Sequence, residues 1–462
     1  MNDAGDGKSS EKTVFIFNMS EDVWPFIQAI ADPHARQTEI DENADLGDHT
    51  LFSLAQEDRI LFVGARPISH DFLAYFQNLF GIKSVEVRAP KVHTGVICDD
   101  ILKDTGLVRT MLEAGNSVRK FTLLSYTTTE QFLHLVESIQ ERGVTPGTPE
   151  APTEEDAWTV NFFGSKSGIR QLAQQSSARE PDFVMPDGVI CMGTHDAARI
   201  AAKKYVKEHG VVVKTNKGHS GLGVLIFRPG DLPEEYAPCE REILSILAKD
   251  TYWSLFPIVI ESLVSVALTV GGGSPNVEFK ISPSGKIDLL YYGGMRITRD
   301  GVFQGMEVGS DALSDQVVAQ ITDTGFFIAE KYRAAGYRGY FDVDFVAAKS
   351  GALYVTESNV RRTGATHVYH MAAKLFGKDF LHTVYCLSNS GYKLPGNGGI
   401  SFKEVVERLG ATLFDKSTGE GVIIVSENSL RNRRTLEYVI FGQTKKRAYD
   451  IEAKMGELLG SA

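Results

Sequence analysis

A mixed α/β (α+β) fold in three units is what the sequence predicts, and three observations carry it. Between Thr13 and Arg142, short apolar runs alternate with helix-period segments, the pattern of a mainly parallel sheet with crossover helices. The stretch Gly143–Ala157 (GVTPGTPEAPTEEDA), rich in Pro, Gly and acids, then breaks the pattern. Beyond it, strands come in pairs across glycine-containing turns. The expected division is an N-terminal α/β unit over 1–150, a central unit over 151–386 and a small C-terminal α+β unit over 387–462.

In the first unit, Thr13–Phe17 (TVFIF), Arg59–Gly64 (RILFVG), Ser84–Ala89 (SVEVRA) and Phe121–Tyr126 (FTLLSY) read as strands. Phe72, Leu73, Phe76, Leu79 and Phe80 recur at helical spacing. A second helix runs from about Thr129 to Arg142 and stops at Gly143. Neither a Walker A motif nor G-x-G-x-x-G occurs here, so this unit reads as a scaffold or a substrate-binding unit.

In the central unit, Lys166 stands where a loop enters a helix. His209–Phe227 (HGVVVKTNKGHSGLGVLIF) reads as a strand Val211–Val213 ended by Lys214, a loop with Gly218, Gly221 and Gly223, and a strand Val224–Phe227. Glycines let a backbone approach phosphate closely and the lysine adds a point charge; Lys217, His219 and Ser220 lie in the same loop. A P-loop would be followed by a helix, and this loop is followed by a strand. Trp253–Val270 is apolar, but Pro257 and Glu261 oppose a membrane span, and it reads as a strand, a break and a second strand. Val277–Ile281 and Ile287–Tyr292 flank the turn SPSGK, and Arg296 follows in GGMRIT. A long helix, Gln316–Ala335, leads into Gly339.

Gly339–Gly364 (GYFDVDFVAAKSGALYVTESNVRRTG) reads as a hairpin, Tyr340–Ala347 and Ala352–Thr356, turning at Lys349-Ser350-Gly351. Pairing places Asp344 and Glu357 near the same end, and Asn359, two residues on, on the same face. Two carboxylates and an amide oxygen make a hard-oxygen site suited to Mg²⁺. Arg361 and Arg362 supply bidentate contacts for anions. Asp342 taken alone reads as a solvated charge. His367 and His370, one turn apart on a helix over 366–376, read as packing or substrate contacts. The C-terminal unit is expected to hold a helix Phe402–Leu409, strands Gly421–Ser426 and Thr435–Phe441, and a helix Ala448–Leu459.

Composition narrows the function classes. A chain of 462 residues, 43% hydrophobic and 23% charged, supports a sizeable core. A net charge of −11 leaves no basic surplus for a nucleic-acid partner. The four cysteines are scattered without C-x-x-C, which fits a reducing cytoplasm rather than zinc or disulfides. The first ten residues, MNDAGDGKSS, lack the apolar core of a signal peptide.

An aspartate on one strand, then Glu-x-Asn at the end of the next, resembles the metal-binding signature of the ATP-grasp superfamily, and the resemblance covers roughly residues 160–385. It implies an ATP-grasp fold, ATP and Mg²⁺ as cofactors, and activation of a carboxylate as an acyl phosphate that an amine or thiol attacks. Asp344, Glu357 and Asn359 would carry the metal. Lys166 and Lys214 would meet the nucleotide phosphates, with Gly218, His219, Ser220 and Gly221 in the covering loop. Phe256–Val264 resembles the segment linking the two lobes, so Glu261 and the backbone of Ser262 and Leu263 would meet adenine. Arg296 would reach the terminal phosphate, and Arg361 or Arg362 the substrate carboxylate and the later oxyanion. Ala267 and Leu268 depart from the family, many members of which carry an acid there for ribose.

The order of units together with ESNVRRTG resembles the peptide ligases of pheganomycin biosynthesis. That implies joining a guanidino-bearing amino-acid carboxylate to the N-terminal amine of a peptide, in natural-product biosynthesis. The expected partners are a small carboxylic acid and a peptide, with no nucleic acid and no membrane; a homodimer stays open. The alternatives are a non-catalytic ATP-binding regulatory module and an acid–thiol ligase.

Overall fold

The computed structural model describes residues 9–219, 222–299 and 301–460. In the N-terminal part, β1 (Ser9–Ile16), β2 (Arg59–Val63), β3 (Ser84–Arg88) and β4 (Val118–Ser125) form one parallel sheet in the order β3-β2-β1-β4. Alternate residues serve opposite faces: Val14, Ile16, Leu61 and Val63 join one core, Phe15 and Phe62 another. Both faces are covered, as a parallel sheet requires. Four helices between Met19 and Leu51 have no counterpart in the sequence expectation. The longest, Pro33–Asp45, buries Ile40, Asn43, Ala44 and Asp45, so polar side chains fill the positions where an apolar stripe would have marked it.

The next sheet is antiparallel: β5 (Gly188–Cys191), β6 (Val211–His219), β7 (Leu222–Phe227) and β8 (Ile258–Ser262), in the order β5-β8-β6-β7. Here β6 runs six residues past Val213, so Lys214 lies inside the strand and does not end it. Its pairing with β8 through Thr215 and Ile258 extends it. Gly223 has φ 79°, and a Cβ there would lie 2.2 Å from Thr215 Cγ2, so both backbone and space demand glycine. Ala197, Ala198, Ala201 and Ala202 of the helix Thr194–Glu208 are fully buried in the core formed with this sheet. The expected second strand after β8 is not formed; Val266 makes only an isolated bridge to Ala348.

The largest sheet holds eight strands: β9 (Pro275–Ile281), β10 (Ile287–Ile297), β11 (Phe303–Val308), β12 (Gly339–Ala347), β13 (Leu353–Glu357), β14 (Tyr385–Lys393), β15 (Gly421–Ile424) and β16 (Thr435–Gly442). Their order is β13-β12-β9-β10-β11-β14-β16-β15. The alternation in β9 and β12 is sharp. Val277, Phe279, Ile281, Phe341, Val343 and Phe345 share a core with Ile321 and Ile328 of the helix Asp315–Ala334. The opposite face carries Asn276, Glu278, Lys280, Tyr340, Asp342 and Asp344. β14 spans the expected boundary at 386/387, so the C-terminal strands continue the central sheet. Among the described residues, no helix is long and apolar enough to cross a membrane.

Candidate functional site

The polar face of β9, β12 and β13 gathers an acidic cluster. Antiparallel register sets Asp344 opposite Asn276, Asp342 opposite Glu278, and Asp344 opposite Glu357. Asn276 Nδ2 donates to Asp344 Oδ1 at 2.6 Å and to Asp342 Oδ2 at 3.3 Å. Asn359 Nδ2 donates to Asp342 Oδ1 at 3.0 Å and to Asp344 Oδ2 at 3.2 Å. Both aspartates are buried. Burial raises the Asp342 carboxyl to about 6 against the pull of the Asn359 hydrogen bonds. Burial, then repulsion from Asp342 and Glu357, pushes Asp344 well above the usual carboxylate range. Glu278, beside them, is raised to about 7 by burial and by Asp342. Its carboxylate accepts from Tyr291, Thr363 and Thr366.

Cations surround this face, each tied to an acid. Lys166 is the first residue of the helix Lys166–Ser176, which Ser165 caps by accepting the Gly168 N–H at 3.0 Å. Its Nζ is 2.7 Å from Glu357 Oε2, and this ammonium, followed by Lys214, holds the Glu357 carboxyl at about 2 against burial. Lys214 Nζ is 2.7 Å from Glu261 Oε2, and Arg170 Nη2 takes Glu261 Oε1 at 2.5 Å. Arg361 Nε donates to Asp22 Oδ2 at 2.8 Å, and its Nη2 to Asn359 Oδ1 at 3.2 Å, with its guanidinium 5.6 Å from the Tyr126 ring centre. Asp22 closes the short helix Met19–Asp22 that follows β1, so the N-terminal part reaches into the site. Burial opposes ionisation of Asp22, and Lys217 and Arg361 together overcome it, holding its carboxyl well below the usual range.

Asp344, Glu357, Asn359, Lys166 and Arg361 thus form one connected set, with Lys214 and Glu261 beside it. Other expected residues are placed differently. Arg296 is held by Glu452 of the helix Lys445–Leu459, at 2.5 and 3.2 Å, rather than extending to the acidic face. Arg362 is buried and paired with Glu150 through three contacts of 2.9–3.1 Å, so it holds an internal carboxylate, not a free anion. The Ser262 N–H donates to the Asp187 carbonyl at 2.8 Å and its hydroxyl accepts from Lys204 at 2.7 Å, so that N–H is not free for a base. Leu263 follows half-buried. Gly218 and His219 lie in the backbone of β6, while Ser220 and Gly221 fall outside the described residues.

Asp342 is corrected from a solvated charge to a member of the cluster. The period of two that it shares with Asp344 was the signal for it. Asn276 and Glu278 follow the same rule on β9. Asp22 and Glu150 carry no such signal, since only the tertiary fold brings them in.

Among the described residues, no three His, Cys, Asp or Glu side chains are arranged to hold a metal ion, and Glu357 is engaged by Lys166. The donors nevertheless fit a hard divalent cation in kind. Two carboxamide N–H groups point into the aspartate pair in place of positive charge, and Asn276 Oδ1 is a buried acceptor with no partner.

Residues 404–455 match a family model described as the PGM1 C-terminal domain. No curated protein matches in sequence. Solved structures do match. The ADP complex of purK, N5-carboxyaminoimidazole ribonucleotide synthetase, aligns at TM-score 0.56 and 10% identity, over 98% of this chain and 98% of that one. Biotin carboxylase from Campylobacter jejuni, in its beta-gamma-ATP complex, aligns at 0.59 and 12%, over 97% and 91%. The biotin carboxylase domain of the Hydrogenobacter thermophilus 2-oxoglutarate carboxylase, with MgADP, ADP and bicarbonate, aligns at 0.54 and 13%, over 96% and 89%. With likeness running over nearly the whole chain, the parallel N-terminal sheet and the two antiparallel sheets make up an ATP-grasp fold.

Proposed function

We propose that this chain is an ATP-dependent carboxylate–amine ligase that forms ADP and joins an amino-acid carboxylate to the N-terminal amine of a peptide. One observation carries the reading: Asp342, Asp344 and Glu357 line one face while Lys166, Lys214 and Arg361 converge on its edges. Such a face suits the phosphates of a magnesium nucleotide, because phosphoryl transfer between anions is limited by charge repulsion. The ADP, ATP and MgADP complexes of the fold relatives support the nucleotide and the metal.

Magnesium, held by Asp344, Glu357 and, once Arg361 Nη2 releases it, the Asn359 carboxamide oxygen, would neutralise phosphate charge. The chain's own residues do the rest. Lys166 and Lys214 exchange Glu357 and Glu261 for phosphate oxygens. Arg361, keeping Nε on Asp22, turns Nη2 from Asn359 to orient the substrate carboxylate, one oxygen of which attacks the γ-phosphorus while the β–γ bridging bond breaks and ADP leaves. The neutral amine then attacks the acyl carbon, the C–N bond forms as the acyl C–O bond breaks, and phosphate departs with the proton that the nitrogen sheds. Arg361 is placed to stabilise the oxyanion of that second step. Arg362 fixes the loop that carries Arg361 by its grip on Glu150. A guanidino-bearing acid is the acyl donor that the whole-chain resemblance favours.

The test is ADP release from Mg·ATP with a panel of amino acids, guanidino acids and peptides, with hydroxylamine present to trap acyl phosphate. Hydroxamate formed with one acid, without peptide, is the expected result. Measurable ATP binding with neither ADP nor hydroxamate would instead mark a non-catalytic nucleotide-binding module.

A further inference from the structure

Lys217, on β6, rests its ammonium on three oxygens. Nζ lies 2.7 Å from Asp22 Oδ1, 3.1 Å from the Asp22 carbonyl oxygen and 3.0 Å from Asn161 Oδ1. An ammonium has three N–H donors, so one carboxylate, one carbonyl and one amide oxygen satisfy it completely. The side chains of Asp22 and Lys217 are 10% and 24% exposed and Asn161 is exposed, so the tripod is partly open to solvent on its Asn161 side. The other Asp22 oxygen accepts from Arg361, which reaches Asn359, which in turn touches Asp344. Three successive hydrogen bonds therefore link this position to the acidic face.

We propose that Asp22 Oδ1, the Asp22 carbonyl and Asn161 Oδ1 form the docking site for the primary ammonium of the acceptor substrate, and that Lys217 fills it when that substrate is away. The inference rests on the ligase reading and adds the place where the acceptor nitrogen binds. The tripod distinguishes charge and shape together. A quaternary ammonium has no N–H to donate, a planar guanidinium cannot match three converging acceptors, and an anion meets the Asp22 carboxylate.

Lys217→Met empties the tripod while keeping an aliphatic stem. Thermal melting of this variant is followed with methylammonium, tetramethylammonium and potassium chlorides at equal concentration. Methylammonium is expected to raise its Tm by about 2 °C more than either other salt. The extra rise should vanish in the Lys217→Met/Asp22→Asn double variant. An equal rise with tetramethylammonium, an equal rise with potassium, or persistence in the double variant overturns the assignment. Lys217→Ala repeats the test should the Met variant not fold. The hydroxamate assay on the unaltered protein separates the two claims. Hydroxamate without ammonium selectivity overturns the tripod alone. Ammonium selectivity without hydroxamate overturns the ligase reading, and with it the identification of this ammonium as an acceptor's.

Discussion

Glu357 connects Lys166 to the acidic face, and its charge matters more than its shape. Glu357→Gln keeps the volume and removes the charge. ATP turnover is expected to fall by roughly a hundredfold or more, while circular dichroism and Tm show a folded protein; near-normal turnover would remove Glu357 from the site. A second residue tests electrostatics away from it. Asp48 is buried and accepts the N–H groups of Glu427 and Asn428 at 2.6 and 2.7 Å. Burial, then repulsion from Glu437, raises its carboxyl from 3.8 to about 7. A raised carboxyl favours the folded state while protonated, so this contribution is complete below 3.8 and is lost as pH climbs through about 7. Asp48→Asn cannot ionise, so the Tm of the variant relative to the parent should rise across that window. A flat difference would refute the ionisation. At this scale, the residues legible in the sequence were those at fixed spacing on one hairpin, such as Asp344, Glu357 and Asn359. Asp22 and Glu150 were not, because nothing local marks a carboxylate whose partner lies hundreds of residues away.

At the scale of elements, the helix Asp315–Ala334 packs on β9 only because Gly325 has no side chain: a Cβ there would lie 2.4 Å from the Phe279 ring. Phe279 is itself stacked on Phe341 and edge-on to Phe326, so it has little room to move. Gly325→Ala gains roughly 1 kcal/mol of helix propensity and incurs overpacking of about 1–3 kcal/mol. Net destabilisation is expected in urea titration, with the slope unchanged; a stabilised variant would show that the ring yields. Hairpins such as β9–β10 and β12–β13 were legible because their turn residues and alternation agree. The length of β6 was not, since Lys214, Thr215, Asn216 and Lys217 carry no apolar alternation; pairing with β8 carries the strand through Thr215, and pairing of His219 with Leu222 closes its far end. The polar helix Pro33–Asp45 is not legible in the sequence for a related reason: its buried positions include Asn43 and Asp45, the latter near Arg66, Asn432 and Arg433.

For the whole molecule, the stretch Gly143–Ala157 reads correctly as irregular chain but does more than connect. Its Glu150 accepts from both Arg362 and Lys280, clamping the segment onto the polar face of the large sheet. Removing one member of a buried ion pair strands the other. Glu150→Ala should therefore cost about 3–5 kcal/mol, seen as a large drop in denaturation midpoint; a loss under about 1 kcal/mol would mean that the pair is solvated. Three units were expected along the chain, and their elements are recognisable, yet strand order could not be read from composition. The eight-stranded sheet runs through the expected boundary at 386/387.

That continuity has a consequence for biosynthesis. β11 is translated well before its neighbour β14, and β14 before β16. Until β14 has been synthesised, the β11 side of the sheet offers unpaired N–H and C=O groups to any other nascent chain nearby. Neighbouring ribosomes on one message bring further copies of the chain close to it. Pairing of β14 with β11, and then of β16 with β14, therefore ends this vulnerable interval.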